Sequence, residues 1–220
     1  MYIEAEWDPR DPLGEMDFIA SLRAEHGVPT VAIAQAWLDR GDCAAVLEAH
    51  AERSFVRGVR HKPRPGQMDD ASWRAGYARL GPLGLHFELQ APWQELAAAA
   101  RLARDFADTT LVLNHAGLPL PGEFDGWRAA MARLVPCPNV AVKISGLGNL
   151  DARAQHQVIG AALELFGTHR VMFASNYPVD SLRATYDAIY ELFDKATRDL
   201  STAERRDLFH DNAVRIYRME

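Results

Sequence analysis

The stretch "RVMFASNYPVD", residues 170–180, decides the fold that the sequence predicts. Four apolar residues, Val171 to Ala174, lead into Ser175 and Asn176, and Pro178 then ends the run because proline has no N–H to give to a sheet. A short, continuously apolar run of this kind is typical of a strand that is covered on both faces, as in a parallel sheet. We therefore expect a buried strand that delivers polar groups at its carboxyl end.

Six similar runs precede this one, and together they set the architecture. The seven runs begin 25 to 31 residues apart, and they are "YIEAEW", "TVAIAQAW", "FVRGVRH", "LHFELQ", "TLVLNH", "VAVKIS" and "VMFASN". This interval fits one strand, one crossover helix and two loops. The segments between the runs have helix signals, such as the capping box formed by Ser201 and Glu204. The pattern predicts an α/β fold of the TIM-type (β/α) barrel kind, with seven strands found. A doubly wound open sheet is the alternative, but its glycine-rich phosphate turn is absent after the first run.

Composition narrows the class of protein. A chain of 220 residues suits a single barrel domain spanning residues 1–220. Its net charge of −6, without a basic stripe, argues against nucleic acid as a partner. No apolar stretch reaches membrane-spanning length, and the amino terminus lacks the pattern of a secretory signal. Cys43 and Cys137 fit no metal or redox spacing. We predict a cytoplasmic protein that acts on a small molecule.

Candidate site residues follow from the barrel, because TIM-barrel sites lie at the carboxyl ends of the strands. Lys143 stands out there, since a structural strand would favour an apolar residue at its place in "VAVKIS". Among the eight histidines, only His61 and His115 follow strands directly. The polar residues at the predicted strand ends are Glu6, Asp8, Gln35, Asp39, Arg60, His61, Gln90, Asn114, His115, Lys143, Ser145, Asn176 and Asp180.

Six motifs, in chain order, carry a resemblance to a known family: "YIEAEWDP", "VRGVRHKP", "LVLNHAGLP", "VAVKISGLG", "FASNYPVD" and "LFHDNAVRIYRM". They resemble the amidohydrolase-related family of metal-dependent TIM-barrel hydrolases, and within it the sugar-lactone hydrolase branch. The resemblance implies a (β/α)8 barrel that hydrolyses C–O or C–N bonds, often in lactones and sometimes with zinc. Decarboxylases share the same superfamily.

Two departures from the family pattern bear on the chemistry. The family's first strand carries a His-x-His ligand pair, but this sequence contains none and starts at the family's second strand. Either the chain is truncated at its amino terminus relative to the family, or another element replaces the eighth strand. The family's last strand ends in Ser-Asp-x-Pro, whereas Asn176 stands here in place of the aspartate. An amide can neither take a proton near neutral pH nor offer a metal a negative charge. We therefore expect no bound metal, with His115 the only family-like ligand, although the resemblance implies zinc.

The leading hypothesis is a hydrolase that opens a small sugar or carboxylate lactone by attack of water. His115 is the candidate base or electrophile, since an unperturbed histidine titrates near pH 6.5. Asn176 would orient water or substrate, and Asp180 is a second candidate base. The residues expected to contact an anionic or polyhydroxylated substrate are Glu6, Arg60, His61, Gln90, Lys143 and Ser145.

Two other functions stay open. The first is a non-catalytic or truncated barrel that binds a metabolite or partner, and the second is a decarboxylase.

A barrel lacking one strand also leaves the first and last strands as unpaired edges, which predicts a homo-oligomer or a marginally stable chain.

Overall fold

A computed structural model describes residues 1–219, and a seven-stranded parallel sheet forms its centre. The strands pair in chain order, so each crossover connects neighbours. They are β1 (Tyr2–Ile3), β2 (Ala32–Gln35), β3 (Val56–His61), β4 (His86–Leu89), β5 (Leu111–Leu113), β6 (Val140–Ile144) and β7 (Val171–Phe173). The prediction of seven parallel strands in an α/β, TIM-type arrangement is confirmed.

Helices follow the strands along the chain, and the first seven cover one side of the sheet. The helices are α1 (Gly14–His26), α2 (Cys43–Glu52), α3 (Ala71–Tyr77), α4 (Leu96–Asp105), α5 (Phe124–Ala132), α6 (Ala152–Phe166), α7 (Tyr186–Ala196), α8 (Thr202–Arg206) and α9 (Asn212–Tyr217). A π-helical turn, Asp207–Asp211, joins α8 to α9. The predicted capping box of Ser201 and Glu204 opens α8. None of the helices described for residues 1–219 combines the length and the apolar character needed to cross a membrane.

Alternation along each strand divides the core into two layers. Leu111 and Leu113 pack outward with the helices, whereas Val112 between them faces the inner side of the sheet. The inner cluster also contains Ile33, Ala141, Met172, and Ile216 and Tyr217 from α9. The carboxyl-terminal helix thus supplies apolar side chains to the inside of the sheet, which the strands alone leave incompletely filled.

Hydrogen bonds from arginine side chains to backbone carbonyls hold α9 at the amino-terminal end of the strands. The Arg57 guanidinium donates to the carbonyls of Tyr217 and Arg218, and the Arg218 side chain donates to the carbonyl of Gly84, ahead of β4. The opposite, carboxyl-terminal end stays free of this helix. The candidate site residues lie at that end.

The sheet has two edges. Within residues 1–219, no ladder joins β1 to β7, and β1 pairs with β2 through only two residues. The expectation of edge strands is confirmed, while self-association stays a prediction.

Candidate active site

His115 and Ser145 form the centre of the candidate site. β5 ends at Leu113, and the tight turn Asn114–Gly117 follows with His115 and Ala116 in the left-handed region, at φ 52° and 47°. This conformation is uncommon for residues with a side chain and is held only where surrounding contacts favour it. The turn places His115 Nδ1 2.9 Å from the Oγ of Ser145, which directly follows β6.

Gly146 leaves the space that this contact needs. Its φ is +66°, and a Cβ at this position would lie 2.8 Å from His115 Nδ1 and 3.5 Å from Asn176 Nδ2. Glycine is therefore required both for the backbone conformation and for the close approach of the imidazole.

Asn176 and Asp180 complete the group from the end of β7. Asn176 also has a left-handed backbone, with φ 52°, and its amide donates to Asp180 Oδ1 over 2.8 Å. The Asp180 carboxylate is buried in the single turn Val179–Leu182. The structure thus brings together the three residues predicted to be catalytic, with Gly146 lying against both His115 and Asn176.

Burial controls the protonation of His115. Burial, together with the nearby charges of Lys143, Arg60 and Lys62, lowers the pKa of the imidazole to about 4. A buried group resists charging because the protonated form loses its hydration. His115 is consequently neutral at pH 7.

Lys143 belongs to a buried network inside the sheet. Its ammonium lies 2.7 Å from a carboxylate oxygen of Glu88 on β4, across the intervening β5, and the other oxygen accepts a hydrogen bond from the Tyr217 hydroxyl. Burial lowers the pKa of Lys143, and the Glu88 charge opposes that shift. Burial and the same carboxylate raise the pKa of Tyr217 well above its usual value.

The other candidate cations are also paired with carboxylates. The Arg60 side chain is bound to the Glu4 carboxylate and donates to the Glu4 carbonyl over 2.7 Å. Lys62 forms a more exposed pair with Glu6 at 2.9 Å. Arg60 and Lys143, predicted as substrate contacts, are therefore neutralised within the protein.

Three predicted residues form no hydrogen bond with His115. His61 Nδ1 accepts hydrogen bonds from Trp73 Nε1 at 3.0 Å and from the Leu38 N–H at 3.3 Å, and burial lowers its pKa to about 4. His61 thus ties α3 to the sheet. Gln90 is half-buried and forms no side-chain hydrogen bond within residues 1–219, and Glu6 is exposed beside Lys62.

Sequence reasoning missed Glu4, Glu88, Tyr217 and Gly146. The sequence does contain a signal for Glu88, since it is a charged residue inside an apolar strand, like Lys143. Glu4 is also a charged residue inside a predicted strand, but its run "YIEAEW" contains a second glutamate and is less apolar. Nothing in the sequence around Tyr217 indicates that it reaches the inside of the sheet.

Zinc can be tested against the donors that the chain provides. A zinc site needs three or more protein ligands. Within residues 1–219, no group of three or more His, Cys, Asp and Glu side chains is placed to hold a metal ion. His115 Nδ1 contacts Ser145, Asp180 accepts from Asn176, and Glu4 is bound to Arg60. This donor set does not fit a zinc centre.

Comparison with known proteins gives a consistent relationship. A family model described as amidohydrolase matches residues 9–219. An L-fucono-1,5-lactonase from Burkholderia multivorans is 34% identical over 232 aligned residues, covering 92% of this chain and 76% of the relative. The uncharacterized protein y4mH of Sinorhizobium fredii is 35% identical over 237 residues, covering 100% of this chain and 80% of y4mH.

A solved structure extends the comparison to the fold. The crystal structure of an amidohydrolase from Burkholderia multivorans with bound zinc superposes with a TM-score of 0.88 at 28% identity, covering 99% of this chain and 82% of that one. The zinc belongs to that protein. The matched family model and the level of identity to the relatives show that this chain belongs to the amidohydrolase family.

Proposed function

We propose that this amidohydrolase-family hydrolase opens a small lactone. The observation that carries the proposal is a neutral, half-buried His115 held on Ser145, beside the Asn176–Asp180 pair, where three strands end. The similarity to an L-fucono-1,5-lactonase supports a sugar lactone as the substrate class.

His115 suits the role of an electrophile. A group with a pKa of about 4 is a weak base at pH 7, but a neutral imidazole donates a hydrogen bond well. In this assignment the Ser145 hydroxyl donates to Nδ1, which leaves Nε2–H to donate to the lactone carbonyl oxygen. That bond strengthens as negative charge develops on the oxygen during attack.

Asp180 is the candidate base. The Asn176 amide holds one of its oxygens, and the other remains to accept a proton from water. The water oxygen adds to the lactone carbonyl carbon while its proton passes to Asp180. The ring C–O bond then breaks, and the proton returns to the leaving ring oxygen. The net reaction adds one water and yields a hydroxy acid.

The paired cations favour a particular kind of lactone. Arg60 and Lys143 already have buried carboxylate partners, and removing either cation from its partner would leave an uncompensated buried charge. A polyhydroxylated neutral lactone therefore suits the site better than a strongly anionic one. Gln90 and the exposed Lys62–Glu6 pair are the groups proposed to bind its hydroxyls.

A panel of sugar lactones and carboxylate-bearing lactones, followed with a pH indicator, tests the proposal. We expect at least one sugar lactone to open, and His115→Gln to lower its kcat/KM by roughly 100-fold or more. His156→Gln, which changes an exposed histidine on α6, is the control and should retain the rate. No opening across the panel by protein with intact circular dichroism would contradict the proposal.

A non-catalytic barrel is the second candidate, and the donor set around His115 favours it, because no three-ligand metal group exists within residues 1–219. Such a barrel would bind a sugar lactone without converting it. Calorimetric binding of a lactone that chromatography recovers unchanged would support this function over hydrolysis.

Decarboxylation stays a third prediction, to be tested by CO2 release from aromatic acids.

A further inference from the structure

The amino-terminal end of the barrel, opposite the candidate active site, contains a cleft of about 300 Å³. Its walls come from the residues that precede or begin β4 to β7 and from α9. Arg170 approaches from the β7 side, and Arg215 and Arg218 approach from α9 and its carboxyl end. Three guanidinium groups thus line one cleft.

Carbonyl groups hold these arginines in place. Arg170 donates to the carbonyls of Val135 and Cys137, and Arg215 donates to that of His169. Within residues 1–219, each guanidinium uses at most two of its five N–H donors in hydrogen bonds. Arginines fixed in this way keep further donors in a defined orientation.

The arginines lack the carboxylate partners that cations at the other end possess. Within residues 1–219, Arg170, Arg215 and Arg218 form no ion pair with Asp or Glu, in contrast to Arg60, Lys62 and Lys143. A salt bridge to a carboxylate would ordinarily offset charges brought this close. Within residues 1–219, the three arginines of the cleft thus have no ion-paired carboxylate, in a chain whose net charge is −6.

Other titratable groups also lie at or near the cleft. His169 also lines the cleft and is bound to Asp207 at 2.9 Å. Burial lowers the pKa of His86 to about 4, so this histidine is neutral at pH 7. Glu88 lies behind the Tyr217 ring and is compensated by Lys143.

We propose that this cleft binds a small oxyanion with two negative charges, either a phosphate group or a dicarboxylate. Planar guanidinium groups match the geometry of phosphate and carboxylate oxygens and can bind them through two parallel N–H···O bonds. The volume suits a small metabolite rather than a polymer. The proposal is independent of the reaction at the carboxyl-terminal end.

A bound oxyanion would bridge α9 to the sheet. Arg215 and Arg218 belong to the carboxyl-terminal segment, whereas Arg170 and Asn139 stand at the starts of β7 and β6. Because the cleft is assembled only in the folded chain, binding should raise the melting temperature by mass action.

Titration calorimetry and thermal melting with inorganic phosphate and with malonate, at constant ionic strength set by sodium chloride, test the proposal. We expect saturable binding at one site per chain and a higher melting temperature with at least one of the two probes. The tighter probe distinguishes phosphate from dicarboxylate chemistry. Arg215→Gln and Arg170→Gln should each weaken binding by at least 10-fold, whereas Arg128→Gln, an exposed arginine on α5, should leave it unchanged. Non-saturable effects of both probes, or equal binding by all three variants, would overturn the proposal.

A second measurement avoids variants that lose a structural contact. Phenylglyoxal modifies accessible arginines of the unaltered protein, and mass spectrometry locates the products. The bound probe should protect Arg170, Arg215 and Arg218 while Arg128 reacts as before. Equal modification of all four with and without the probe would count against the site.

Discussion

The two ends of the barrel use charged residues in opposite ways. At the carboxyl-terminal end, Lys62, Arg60 and the deeper Lys143 each have a carboxylate partner, and the backbone is strained. At the amino-terminal end, carbonyl groups hold the cleft arginines, and within residues 1–219 Arg218 is the one residue there other than glycine with positive φ, at 49°. Five of the six residues other than glycine with positive φ belong to the carboxyl-terminal end, and they are Glu6, His115, Ala116, Leu118 and Asn176.

This difference separates chemistry from binding. Unfavourable backbone conformations persist where the surrounding structure enforces them, and they concentrate at functional sites. Here they aim His115 and Asn176 at one point. Arginines without an ion-paired carboxylate, in contrast, attract an anion. Our two proposals assign the reaction to the carboxyl-terminal end and anion binding to the amino-terminal end.

The largest expected effect is a loss of stability when the buried network of Lys143, Glu88 and Tyr217, between the two ends, loses its cation. Lys143→Met should lower the free energy of unfolding by about 3–5 kcal/mol, because it leaves the Glu88 charge buried without its cation. Urea unfolding measures this loss. Lys143→Met combined with Glu88→Gln should recover most of the stability, since no buried charge then remains. A loss below about 1 kcal/mol for the single variant would show that Glu88 is not ionised.

The next effect distinguishes two consequences of replacing a glycine at the carboxyl-terminal end: displacement of the His115 side chain, and the cost of a left-handed backbone. Gly146→Ala should lower kcat/KM for the lactone by roughly 100-fold, because the new Cβ displaces His115 from its contact with Ser145. Gly122→Ala is the matched control, since Gly122 also has positive φ but no atom lies within 4 Å of its Cβ position. Both variants should lose about 1 kcal/mol of stability from the left-handed backbone. Equal rates for the two variants would remove the argument that His115 requires Gly146.

The smallest expected effect is a dependence of stability on pH, to which a histidine at each end contributes. Burial lowers the pKa of His115 and of His86 from 6.5 to about 4. Between these values the unfolded chain binds protons that the folded chain excludes, so stability is fully present above pH 6.5 and falls as the pH drops toward 4. His115→Gln or His86→Gln should each reduce this decline by at most about 1.4 kcal/mol per pH unit. Unfolding at several pH values measures the slope, and His156→Gln should not alter it.

The sequence predicts the strands that carry the site because strands depend on local patterns of apolar residues. Apolar runs located all seven strands, and the rule that parallel strands end at one edge of a sheet brought His115, Ser145, Asn176 and Asp180 together. The role of Lys143 was harder to predict. It was singled out as unusual, but its partner depends on side chains that meet across β5 inside the sheet.

Long-range packing explains what the sequence could not indicate. Tyr217 and Glu88 are 129 residues apart, and their contact requires α9 to enter the amino-terminal end of the barrel. The arginine cleft has the same origin, because its members come from α9 and from separate strands. No composition or spacing signal connects residues that only the folded chain brings together.

We propose that His115 and the Asn176–Asp180 pair act without a three-ligand zinc centre. The rate of lactone opening before and after exhaustive dialysis against a chelator, with elemental analysis of both samples, tests this directly. We expect an unchanged rate, far less zinc than one equivalent per chain, and loss of the rate in His115→Gln. A rate that disappears on dialysis and returns with one equivalent of zinc would contradict it.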